Sequence, residues 1–127
     1  MARAYTVAAV AVTLRVSHKW LDNVLSHHRL TGVVHGRQGV SRKLTPQAVV
    51  MLEVALRISR SVGSPMGTAL ELAAKLLEGQ GTRTLSLQSS VQLSVDVDAV
   101  AHSVYSRMAE AVEVTPVRRR GRPPVSR

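Results

Sequence analysis

The chain has 127 residues, 17 Lys plus Arg against 8 Asp plus Glu, a net charge of +9 and no cysteine. Such a length fits one domain with a tail, and the charge favours a polyanionic partner. The missing thiols exclude disulfide frameworks, thiolate zinc sites and cysteine nucleophiles, and 2% aromatics leave a core to be built from Val, Leu, Ala and Ile.

Thr6 stands where it can N-cap an Ala-rich apolar helix over Val7–Val12, broken by Thr13-Leu14-Arg15-Val16. Ser17 is the next cap and opens a helix over His18–His28. Leu21, Val24, Leu25 and His28 share one face of it, while His18, Lys19, Asp22, Asn23 and Ser26 lie mostly on the other. Two short helices about four residues apart read as a helix-turn-helix. Leu30–Leu44, punctuated by Gly36 and Gly39, predicts a hairpin with a basic tip at Arg37-Gln38, and a hairpin directly after a helix-turn-helix is a wing.

Thr45 then caps a helix with Pro46 at its first position, running to Ser61 and dense in Val, Leu and Ile, with Gly63 as its stop. Ser64-Pro65 repeats the start signal, and a helix is expected to about Leu77, ended by Gly79 and Gly81. Thr82–Asp98 alternates apolar and polar residues. It reads as two strands turning at Gln88-Ser89-Ser90 or as one long strand. Asp98 can cap a helix over Ala99–Glu113 with an apolar face of Val100, Val104, Met108, Ala111 and Val112, and Thr115-Pro116 stops it. From Val117 the chain is rich in Arg, Pro and Gly and is expected to be disordered alone.

The fold expected is therefore α+β and mainly helical: a winged helix-turn-helix over 1–78, then a strand or hairpin with a C-terminal helix over 79–114, then a tail over 115–127. The middle unit is too small to stand alone, and dimerisation through strand 83–97 and helix 99–113 is the expected use.

Charge is split unevenly along the chain. Residues 1–43 carry +6, residues 44–117 carry −2 and residues 118–127 carry +5, which points to two nucleic-acid contact surfaces, one in a head and one in a tail. No apolar run approaches the roughly 18 residues of a membrane span. Val7–Val12 lacks a convincing cleavage site after it, so a cytoplasmic, nucleoid-associated location is expected. Phosphate-loop spacing and a Ser-centred nucleophile elbow are both missing, and the carboxylates are scattered, so no enzyme and no cofactor is expected. His27 and His28 are adjacent and point about 100° apart on a helix, which argues against a metal site with His35.

Residues 5–77 resemble the winged helix-turn-helix of the MerR superfamily, which includes excisionase-type DNA binders. The resemblance rests on Tyr5-Thr6-Val7-Ala8-Ala9-Val10-Ala11 as the opening helix, Val16-Ser17 and Leu21 in the second, and the Gly36–Gly39 wing. Leu44-Thr45-Pro46 and Gly63-Ser64-Pro65…Ala69 then lead into the third and fourth helices. Asp22 and Asn23 stand where typical members carry an Arg-Tyr pair, and the long dimerisation helix is missing. A compact repressor or a mobile-element accessory factor therefore fits better than an effector-responsive activator.

In a helix-turn-helix the second helix enters the major groove with its N-terminal residues first, which nominates Ser17, His18, Lys19, Asp22 and Asn23. Asn23 can pair with adenine, Lys19 can reach guanine or phosphate, and Asp22 can accept from cytosine or position a neighbour. Arg15, Arg37, Arg42 and Lys43 are assigned to phosphates, and Trp20 to packing the helix against the wing.

The tail Arg118-Arg119-Arg120-Gly121-Arg122-Pro123-Pro124 resembles an AT-hook. Gly121 lets the backbone approach the groove floor, the flanking arginines suit a narrow A·T minor groove, and Pro123 keeps the strand extended. The function expected is a sequence-specific DNA-binding regulator, a repressor acting by occlusion, bound as a homodimer to double-stranded and A·T-rich DNA. No small-molecule effector is evident. The alternatives are an architectural or excisionase-like DNA binder and an antitoxin-like protein-interaction module.

Overall fold

The computed structural model describes residues 4–34, 42–78, 82–88 and 90–114. It is α+β and mainly helical, with five helices and two small antiparallel sheets among those residues.

Thr6 ends a strand, β1 (Tyr5–Thr6), and caps the first helix, α1 (Val7–Leu14), its Oγ1 accepting from the Ala9 amide at 3.1 Å. The closing turn of α1 bonds Val16 N to Ala11 O at 3.0 Å and Arg15 N to Val12 O at 3.2 Å, which is a Schellman ending. That ending needs a left-handed residue, and here the residue is Arg15, at φ 60°. After the three-residue turn 15–17, Ser17 Oγ accepts from Trp20 N at 3.0 Å and starts α2 (His18–His27).

Strands β2 (Val33–Val34) and β3 (Lys43–Leu44) pair antiparallel, and β3 also pairs with β1. Leu44 thus lies opposite both Tyr5 and Val33. The helix expected over Val7–Val12 runs on to Leu14, and Tyr5, grouped with the opening helix by the resemblance, forms β1 instead, a two-residue strand too short to leave an alternating pattern. Residues 35–41, with the hairpin tip expected at Arg37, lie outside the described residues.

Gly32 joins this sheet to the next helix. Its φ is 90°, its carbonyl accepts from Thr45 N at 2.8 Å, and a Cβ there would collide with Thr45 Oγ1. That hydroxyl caps α3 (Pro46–Val62) through Ala48 N at 3.4 Å, and Gly63, at φ 71°, ends the helix. Helix α3 is the central element. Val49, Val50, Leu52, Val54, Ala55, Leu56 and Ile58 are all buried, so little of its middle faces water.

Helix α4 (Met66–Leu76) packs on α3. Its start differs from the expected Ser64 cap. Pro65 occupies the capping position with no side-chain bond, and Ser64 Oγ is buried without a partner. The Ser64 carbonyl accepts instead from Ser59 Oγ at 2.7 Å, which ties the connection back to α3. The helix ends at Leu76, and Gly79 and Gly81 lie outside the described residues.

The alternating segment is a hairpin of β4 (Thr82–Gln88) and β5 (Val91–Asp96), so the two-strand alternative holds over the single long strand. Asp96, not Asp98, caps α5 (Val97–Val114), its Oδ1 accepting from Ala99 N at 3.0 Å. The strand delivers Asp96 to the capping position and the helix begins two residues earlier than expected, leaving Asp98 in the first turn. Val100, Val104, Met108 and Ala111 are buried as expected. Val112 is 47% exposed, because it lies a further 100° around the helix from Ala111.

Helix α5 packs on α1 and α3, and its apolar stripe joins the same core cluster as α1–α4. The fully buried leucines, among them Leu14, Leu21, Leu44, Leu52 and Leu76, each contribute about 1.5–3 kcal/mol by burial.

Candidate nucleic-acid interface

Leu21, Val24 and Leu25 anchor α2 to the core. With 3.6 residues per turn, the middle of the opposite arc falls on Lys19, Asn23 and Ser26. All three are exposed, as are Ser17 and His18. Trp20 is half-buried and packs against the core at the edge of this arc.

Asp22 does not stand free. Its carboxylate meets Arg42 Nη1 at 3.3 Å and His18 Nδ1 at 3.9 Å. Arg42 Nη2 donates to Ser26 Oγ at 3.2 Å. One guanidinium from the residue before β3 therefore bridges two positions on α2 and joins the helix to the small sheet. Arg42, assigned to phosphate from sequence, is held on Asp22 and Ser26 with its side chain 29% exposed. Asp22 acts as the group that positions it. His27 Nδ1 lies 2.8 Å from the Asn23 carbonyl, which fixes one edge of its ring at the end of α2.

Lys43 is exposed on the central strand, opposite Thr6 and Val34. Arg15 projects from the turn that opens α2 and is exposed. The structure thus gathers Ser17, His18, Lys19, Asp22 and Asn23 along one helix, with Arg42 reaching onto it from before β3, Arg15 at its leading turn and Lys43 in the adjoining sheet. Arg37 and the tail residues Arg118, Arg119, Arg120, Gly121, Arg122 and Pro123 lie outside the described residues.

A second set of charged groups escaped the sequence reading. Glu53 is 5% exposed on the central helix. Its Oε2 accepts from Arg57 Nε at 2.7 Å, one helical turn on, and meets Arg107 Nη2 of α5 at 3.4 Å. Arg107 Nη1 donates to the Thr13 carbonyl at 2.8 Å, near the end of α1. A buried carboxylate needs such partners. The visible signal was Glu53 itself, a charge inside an otherwise apolar run with an arginine four residues later.

No helix among the described residues is long and apolar enough to cross a membrane. No family model, no curated protein and no solved structure matches the chain.

Proposed function

We propose that the protein is a sequence-specific DNA-binding regulator that lays α2 in a major groove and represses by occluding its site. The observation that carries this reading is the exposed arc of α2, with Lys19 and Asn23 at its centre. The arc opens after a three-residue turn and is tied by Arg42 to the adjoining antiparallel pair β2–β3. In this reading β2–β3 is the wing of a winged helix-turn-helix of MerR type. Asn23 offers an amide with the donor and acceptor that adenine requires, and Lys19 supplies a cation for guanine or phosphate.

The tail, by its likeness to an AT-hook, grips a neighbouring A·T minor groove. Tethering raises the effective concentration of each contact for the other. A twofold dimer reading two half-sites would use the β4–β5 hairpin and the exposed Tyr105 and Val112, because the main apolar stripe of α5 is occupied within the chain.

The test is selection of bound duplexes from a randomised library by the full chain across a salt series. A discrete motif is expected. Asn23→Ala is expected to relax one position of it, losing about 1–3 kcal/mol of discrimination. Lys19→Ala is expected to weaken binding and flatten the salt slope by about one. Binding without selection that simply fades with salt would sink the regulator reading in favour of an architectural one.

A further inference from the structure

Between α1, α3 and α5 lies a cleft of about 500 Å³, lined by Arg15, Arg57, Arg60 and Arg107 with Ser103 and Ser106 on its α5 wall. Four arginines and a single carboxylate, Glu53, are among its lining residues. That carboxylate is already engaged through one oxygen by Arg57 and Arg107.

The donors of this cleft outnumber its acceptors. Arg107 Nη2 is buried against Glu53 at 3.4 Å, so the donors open to a ligand are those of the exposed Arg15, Arg57 and Arg60. Among the described residues no carboxylate pairs with Arg15 or Arg60. A compact group with several anionic oxygens is the ligand such a surplus matches, since guanidinium forks bind phosphoryl oxygens in pairs.

We propose that this cleft is a binding site for a phosphoryl group. The group belongs either to a soluble phosphate ester or to a DNA backbone. The second source rests on the DNA-binding reading above, and the first does not. Arg107 is fixed in the cleft wall, with Nη1 on the Thr13 carbonyl and Nη2 against Glu53, and it contributes its charge from there. Arg57 is held through Nε, and Arg15 and Arg60 close the rim.

The test is arginine Nε–H NMR on the full chain at low salt, titrated first with pyrophosphate and then with a random-sequence duplex. The Arg57, Arg60 and Arg107 signals are followed individually, which separates them from the tail arginines. Arg60→Ala serves as the variant, since Arg60 is exposed and its loss leaves the Glu53 pairs intact.

A saturable shift with pyrophosphate, weakened about tenfold in Arg60→Ala, supports the site with a soluble ligand. A saturable shift of the same signals with duplex alone, weakened in the same variant, supports it with backbone phosphate. Signals that stay still in both titrations, or drift without saturating and equally in the variant, overturn the proposal. Motif selection through Asn23 is read separately, so failure of the cleft and failure of the DNA reading are distinguishable.

Discussion

The exposed arc of α2 and the cleft between α1, α3 and α5 both carry positive charge, yet they are built in opposite ways. On α2 the groups come from neighbouring positions, joined by Arg42 from before β3, and most of them face water. Asp22, which meets Arg42 and His18, is itself half exposed. In the cleft the groups come from positions 15 to 107, and the pairing carboxylate is buried. Charge on α2 can change without disturbing what the helix rests on. Charge in the cleft also fastens α5 to α1 and α3, so part of it holds the fold together.

The comparison predicts a large loss first. Arg107→Ala strips the Thr13 carbonyl of its donor and leaves Glu53 with Arg57 alone, so it is expected to cost about 3 kcal/mol in urea unfolding. A cost below 1 kcal/mol, on the order of one surface ion pair, would erase the contrast between the two regions.

Arg15→Gly should act the other way. Glycine relieves a left-handed position that costs an L-residue about 1–2 kcal/mol, so a net gain near 1 kcal/mol is expected after its own entropic cost. The same change should weaken pyrophosphate binding, which would mark Arg15 as kept for contact at the expense of stability. A variant more stable and equally tight would remove Arg15 from the cleft.

The smallest effect belongs to Asp22→Ala. Stability should stay within about 0.5 kcal/mol, as for an exposed pair. Duplex affinity at low salt should rise about two- to threefold as Arg42 is released, and the gain should vanish at high salt. A stability loss above 1 kcal/mol would make Asp22 a structural partner like Glu53.

Much of the fold was legible because its signals are local. Thr6, Ser17 and Thr45 cap helices as their chemistry dictates, Gly63 ends one, and the alternating segment after Thr82 is extended. The exposed face of α2 was readable for the same reason, since helical period alone separates Leu21, Val24 and Leu25 from Lys19 and Asn23. What escaped needs the tertiary fold. Strand β1 exists because Leu44 and Lys43 come to lie beside Tyr5 and Thr6. Asp96 displaces Asp98 as a cap because a strand delivers it to that point. Arg57 and Arg107 stand fifty positions apart, and only the packing of α5 on α3 brings both to Glu53.

The bond from Arg107 to the Thr13 carbonyl joins residues 94 positions apart. At the pace of synthesis, about 5–20 residues per second, the partner of Thr13 emerges on the order of 5–20 s after it. Until then the sides of α1 and α3 that receive Val100, Val104 and Met108 stay uncovered. Contacts of such long sequence separation slow folding, because chain entropy is lost before they form. Helix α5 is thus expected to close the assembly, and a nascent chain stalled before residue 97 would leave an apolar seam on α1 and α3 uncovered.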